Sequence, residues 1–191
     1  MKSISQILLL IAILLFNQCG SKNTDSTTPA SSLTLSVDGV TKSISISSAL
    51  LLIETTGDKG RTLNVSALSG TNSLILTISN WAFQSPPTNG LLVKSYYEIF
   101  TSTGLDKATC QKSASSGASL CDAATATYVI GSDSYFSSQY DGPDYDSKIK
   151  ITANDTNAKT ISGEFDLKLQ NANDLRLSVK GTFTNVTYLV K

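Results

Sequence analysis

Residues 149–183 read IKITANDTNAKTISGEFDLKLQNANDLRLSVKGTF, and the period of two in this stretch decides the fold. Ile149 and Ile151, then Ile161, Phe165, Leu167 and Leu169, then Leu175, Leu177, Val179 and Phe183 each keep one parity. Successive side chains of a strand point to opposite faces, so constant parity marks a half-buried strand. The breaks fall at Asn154-Asp155-Thr156-Asn157 and Asn171-Ala172-Asn173-Asp174, residue types that tolerate turn geometry. The spacing predicts three consecutive antiparallel strands. Val186, Tyr188 and Val190 take the opposite parity to Phe183, which predicts a bulge or break near Thr184-Asn185. Gly163 and Gly181, inside these strands, suit a bulge or close packing against an aromatic ring.

Working toward the N-terminus, Leu33, Leu35 and Val37 alternate with polar residues. Asp38-Gly39 then predicts a tight turn into a strand over 40–46, where Ile44 and Ile46 alternate with serines. Residues 49–53 (ALLLI) form a continuous apolar run that reads as buried on both faces. Leu63, Val65 and Ala67, then Leu74, Leu76 and Ile78, continue the meander across the turn at Gly70-Thr71-Asn72. No convincing helical stripe occurs beyond residue 18. About ten short strands with polar turns predict one all-β domain over 33–191, a single antiparallel β-sandwich or a barrel-like closed sheet, two forms with the same periodicity.

The N-terminus has a different character. Lys2 is followed by ten unbroken apolar residues at 7–16 (ILLLIAILLF) and then by Asn17-Gln18-Cys19. As a helix the run rises about 15 Å, half of a bilayer core, which is too short for a span and right for a signal peptide over 1–18. The stretch 14–19 resembles a lipobox, the site at which a lipoprotein signal peptide is cut before an acylated cysteine. Phe16 and Gln18 stand where leucine and a small residue are usual. That resemblance implies a lipid on Cys19, a membrane as partner through the anchor, and a bacterial envelope location, with the outer membrane expected because Gly20-Ser21 supplies no Asp retention signal. Residues 19–32 are rich in Ser and Thr with one proline and no large apolar side chain, so they predict a flexible tether.

Loss of 1–18 removes Lys2 alone among the charges, leaving 14 basic against 15 acidic side chains. Near-zero charge without a basic run argues against a nucleic-acid partner, whose binding rests on neutralised phosphates. Of three cysteines, a lipidated Cys19 leaves Cys110 and Cys121, an even pair in an oxidising compartment, for which a disulfide is the expectation.

Residues 81–146 hold ten of the thirteen aromatic side chains beyond residue 18, together with the cysteine pair and Pro86-Pro87. Loops of this kind carry function more often than scaffolds do. Trp81, Tyr96, Tyr97 and Tyr140 are the candidate ligand-facing rings, within a larger group that includes Phe83, Phe100, Tyr135, Phe136 and Tyr145. Two readings stay open for this group. It forms a stacking platform for a glycan, peptide or apolar ligand, or it caps the β core.

The run 149–167 (IKITANDTNAKTISGEFDL), followed by 180–188 (KGTFTNVTY), resembles a family of uncharacterised small lipoproteins of Gram-negative bacteria, matched mainly at 149–188. Asp166 and Leu167 follow Phe165 where that family usually carries a second aromatic. The resemblance implies an envelope location and β architecture, and carries over no functional residue.

The absence of histidine removes Ser-His-Asp and Cys-His nucleophilic systems and His-ligated metal sites. No phosphate-cradling or dinucleotide-binding glycine motif occurs. Carboxylate chemistry of the glycosidase kind needs two suitably spaced acids. The only glutamates are Glu54, Glu98 and Glu164, and by parity Glu164 faces solvent. Asp141, Asp144 and Asp146 flank Gly142-Pro143 without EF-hand spacing, and read as a solvated turn rather than a calcium site. The expectation is a non-enzymatic, lipid-anchored surface binding or interaction module with no catalytic or metal-ligating residue and no cofactor. The alternatives are a structural envelope protein with no small ligand and a carboxylate-based glycan hydrolase.

Overall fold

The computed structural model describes residues 30–54, 60–81, 89–98, 110–113, 119–139 and 147–191. Cys19, the expected signal peptide over 1–18 and most of the expected tether over 19–32 lie outside them, as do Phe83, Phe100, Tyr140, Tyr145, Asp141, Asp144 and Asp146. The described residues are almost entirely β, as the periodicity predicts.

Strands β1 (Ser32–Val37), β2 (Val40–Lys42), β3 (Ser45–Glu54), β4 (Gly60–Ser69) and β5 (Asn72–Trp81) precede three short strands. These are β6 (Ser95–Tyr97), β7 (Cys110–Lys112) and β8 (Ser119–Cys121). Then come β9 (Ala123–Ile130), β10 (Asp133–Phe136), β11 (Lys148–Asp155), β12 (Thr160–Gln170), β13 (Arg176–Thr187) and β14 (Leu189–Val190). Twelve of them make one sheet in the order β14-β3-β4-β5-β9-β6-β11-β12-β13-β1-β2, with β10 beside β9 and β12. The pairing path turns back on itself, because β13 pairs β12 and β1 and runs on into β14, which pairs β3. Pairing is antiparallel throughout except β14 with β3 and β6 with β9, which are parallel. The expectation of a purely antiparallel sheet is corrected at these two places. Neither pair is joined by a hairpin: β14 runs on from β13 past Tyr188 and meets β3 from the far end of the chain, and residues 98–122 separate β6 from β9.

One apolar cluster joins the inward residues of both halves: Leu51, Leu63, Leu76 and Ile78 from the first meander, and Ile149, Phe165, Leu167, Val179 and Phe183 from the second. Asp38 and Gly39 both have positive φ, 47° and 81°, the geometry of a two-residue hairpin turn between β1 and β2. The second strand of that hairpin ends at Lys42, not Ile46. Ile44 leads into β3 and Ile46 lies within it, and β3 pairs with β4 on the other half of the sheet.

The run at 49–53 is also corrected. Ala49 and Leu51 are buried, but Leu52 is 41 % exposed and Leu50 is half-buried beside Leu189. An antiparallel sheet with one covered face buries every second residue whatever the composition of the strand. A bulge at Ser47 shifts register between Ile46 and Ser48, so the inward parity of Ile44 and Ile46 passes to Ala49 and Leu51. Leu175 lies outside β13 and is 55 % exposed, because the turn after β12 closes on the Leu175 carbonyl through Asn171 N–H.

The predicted break near Thr184-Asn185 is a bulge. Phe183 pairs Gly163 and Val186 pairs Ile161, so two residues face Ser162 alone. Asn185 takes φ 51° and its N–H donates to Ser162 Oγ at 2.9 Å. The domain also starts slightly earlier than residue 33: Ser32 pairs Thr184, and Ser31 Oγ donates to the Asn185 carbonyl.

Candidate functional site

Segment 89–98 crosses one end of the core as a strap and carries three of the residues singled out from sequence, Tyr96, Tyr97 and Glu98. Tyr188 Oη donates to the Asn89 carbonyl at 2.6 Å, and Asn154 Nδ2 donates to the Leu91 carbonyl at 2.9 Å. Further along, Ile151 N–H donates to the Lys94 carbonyl, after which β6 pairs β11.

The strap places a polar network inside the fold. Asp122 is 2 % exposed and Asn80 fully buried. Asp122 Oδ1 accepts from Asn80 Nδ2 at 3.0 Å and from Trp81 N–H at 2.6 Å, and Oδ2 pairs with the Lys94 ammonium. Leu92 N–H donates to Asn80 Oδ1. The Lys94 ammonium also stands 5.2 Å from the Tyr96 ring centroid. Burial, and secondarily the Asp122 carboxylate, push the Tyr96 hydroxyl well above its ordinary range, so it stays protonated and donates to the Leu92 carbonyl. Both oxygens of Asp122 are engaged, which suits a latch holding the strap to β5 and β9 rather than a proton acceptor.

Sequence reasoning missed Asn80, Asp122 and Lys94. The signal was parity. Asn80 continues the inward series Leu74, Leu76, Ile78, and Asp122 that of Ala124, Ala126, Tyr128, so each is a polar residue at a core position on a strand end.

Tyr96 is fully buried and is therefore a core residue, not a ring on which a ligand could stack. Tyr135 and Tyr128 are buried with it. Trp81 and Tyr97 are half-buried. Trp81 lies flat over Gly60, where an added Cβ would stand 2.5 Å from its ring. Among the described residues the structure thus divides the aromatic group between buried and half-buried rings, and Tyr140 lies outside them.

The glutamates do not converge. Glu98 is 4 % exposed and accepts from Ser137 Oγ, which in turn accepts from Ala126 N–H. Glu164 stands on the outer face, as parity predicts, with Lys150 Nζ at 3.1 Å, and Glu54 is exposed at the end of β3. Cys110 and Cys121 are joined by a disulfide and are directly paired in the small β7-β8 sheet, one residue before Asp122. Among the described residues no group of three or more Cys, Asp or Glu is placed to hold a metal.

The outer faces of the two halves differ. Over β11-β12-β13, Lys148 faces Asp166 and Asp166 faces Lys180, while Lys150 faces Glu164, a lattice of alternating charge. Over β3-β4-β5-β9, the rows Leu50-Asn64-Thr77-Thr125 and Leu52-Thr62-Ser79-Ala123 carry no charge, and Glu54 stands only at their margin. Thr77 Oγ1 donates to Asn64 Oδ1 across this face at 2.8 Å.

No protein-family model matches the chain, and comparison with curated proteins and with solved structures yields no match.

Proposed function

We propose that the protein is a lipid-anchored envelope protein whose β domain, held off the membrane by the tether, works as a binding or interaction module. The observation that carries this reading is the position of Cys19, directly behind ten apolar residues and ahead of a Ser/Thr-rich stretch with no core-forming side chain. A lipid chain contributes about 0.8 kcal/mol per buried CH₂, so two or more chains hold a protein durably on a bilayer. The resemblance at 149–188 to small Gram-negative lipoproteins, and outer-membrane placement, belong to the same proposal. The uncharged outer face over β3-β4-β5-β9 supports a binding role, since depletion of charge marks the cores of interfaces. The ligand class is a protein segment or a glycan.

The burial of Tyr96, Tyr128 and Tyr135 favours a second reading, a structural envelope protein whose rings serve only the core. Protease shaving of intact cells, with mass spectrometry of the released domain and of the peptide that starts at Cys19, separates the two. Release of the domain together with an acylated Cys19 is the expected result. Protection of an acylated protein favours the structural role, and an unmodified Cys19 overturns the anchored reading altogether.

A further inference from the structure

Lys94 comes from the strap and Asp122 from the residue just ahead of β9, and the fold brings their side chains into direct contact. The Asp122 side chain is 1 % exposed and that of Lys94 22 %. Both are fixed by their neighbours in the chain. Ile151 N–H donates to the Lys94 carbonyl at 2.9 Å, and two residues earlier Leu92 N–H donates to Asn80 Oδ1. Asp122 stands between Cys121, held by its disulfide, and Ala123, which pairs with Ser79 and with Tyr97. The two side chains therefore meet with little freedom left to either.

The two oxygens of the Asp122 carboxyl have different surroundings. Oδ1 accepts from two N–H groups, Asn80 Nδ2 at 3.0 Å and Trp81 N–H at 2.6 Å. Paired N–H donors of this kind stabilise the charge that grows on a carboxyl oxygen when its carbon is attacked. Oδ2 meets the Lys94 ammonium and, among the described residues, no other group. An amine thus lies against one oxygen of a carboxyl whose other oxygen is already held by donors. Keeping the pair as two ions is costly at this depth, because desolvation offsets or exceeds their attraction. An amide in the same place carries no charge.

We infer that Lys94 and Asp122 condense after folding into an intramolecular isopeptide bond that staples the strap to the start of β9. Asp122 is the acyl group of this step. The Nζ lone pair, freed of one ammonium proton, attacks Asp122 Cγ, and the charge gathered on Oδ1 is held by Asn80 Nδ2 and Trp81 N–H. The Nζ–Cγ bond forms, the Cγ–Oδ2 bond breaks, and Oδ2 departs as water with two of the three ammonium protons. Ammonium and carboxylate become amide and water, and no oxidant or co-reactant takes part. Groups held in place by a fold react as if at about 10⁵–10⁸ M, which replaces chemical activation of the acyl group. Burial of Asn80 and Asp122 keeps bulk water from reversing the step. The neighbouring Cys110–Cys121 disulfide opens under reductant, whereas this bond does not.

The test is peptide mapping of the full-length chain, purified in detergent micelles, reduced, alkylated and digested with trypsin. Acylated Lys94 is no longer a cleavage site, so residues 62–107 and 113–148 are expected in most chains as one branched fragment. Its mass should be one water below the sum of the two, and its fragment ions should place the link at Lys94 and Asp122. Lys94→Arg, whose guanidinium keeps the charge but does not give up a proton to become a nucleophile, should give only separate fragments. Ordinary cleavage after Lys94, with residues 113–148 at full mass, overturns the inference. So does a link that persists in Lys94→Arg, or a loss of ammonia with Lys94 joined to Asn80. If Lys94→Arg does not fold, the map of the unsubstituted chain decides alone.

Discussion

The ring of Phe183 lies over Gly163, its directly paired residue on β12, so closely that a Cβ at 163 would stand 2.9 Å from Cε1 and nearer still to Cζ. Two residues along, the arrangement is mirrored, with Phe165 over Gly181. The two glycines are notches that let the paired rings lie flat against the sheet. Gly163→Ala should destabilise the domain by about 1–3 kcal/mol, because the Lys150 carbonyl oxygen 2.6 Å away is backbone and cannot step aside. Thermal unfolding of the purified protein measures this. Gly39→Ala is the contrasting case: nothing lies within 4 Å, and its cost of roughly 1 kcal/mol comes only from φ 81°.

Asp122→Ala should cost about 3 kcal/mol, since it strands Asn80 in the core and removes the partner of Lys94. Lys94→Met should cost less, because Asp122 keeps two of its donors. Denaturant unfolding of both variants checks the order, and hydrogen exchange should show the strap at 89–98 opening first in Asp122→Ala.

Reduction of the Cys110–Cys121 disulfide, or Cys110→Ser, should lower stability by up to about 3 kcal/mol, the chain-entropy value for a loop of this size. Guanidinium unfolding with and without reductant measures it.

Tyr96, Tyr128 and Tyr188 have hydroxyls pushed above the ordinary value of 10.0 by burial, with Asp122 adding to the effect at Tyr96 and Asp155 at Tyr188. The folded state thus holds these protons more tightly than the unfolded state. Their contribution to stability is present in full below the unfolded value and is lost as pH rises above it toward the folded values. Stability should therefore fall on the alkaline side of 10, and tyrosinate absorbance should show these rings ionising together with unfolding rather than before it.

The outer charge lattice should matter little. Lys180 sits 2.7 Å from Asp166 with side chains 58 % and 37 % exposed, so Lys180→Ala should change stability by under about 1 kcal/mol. A larger loss in thermal unfolding would show the lattice acting as a network.

Period two placed Leu63, Leu76, Ile151, Leu167 and Val179 in the core because alternation is a property of the single strand. The parity break at Phe183 located the bulge at Asn185, and Asp38-Gly39 located its turn, for the same local reason. Which strand lies beside which is not local. The return of β14 to β3, the end of β2 at Lys42 and the exposure of Leu52 follow from how the sheet curls round its core. The polar network was only half legible. Asn80 and Asp122 stand at core parity in the sequence, but their partner Lys94 comes from a strap whose path no periodicity records. Tyr96 shows the limit most plainly: its chemistry suits a ligand platform or a core equally, and only the packing of segment 89–98 against β9 and β11 put it inside. The sequence by itself determined the β class, the alternation of core and surface, the cysteine pair and the apolar run at 7–16 ahead of Cys19. The tertiary structure alone decided the strand order, the burial of each described aromatic ring and the meeting of Asn80, Lys94 and Asp122, because these depend on contacts between residues far apart in the chain.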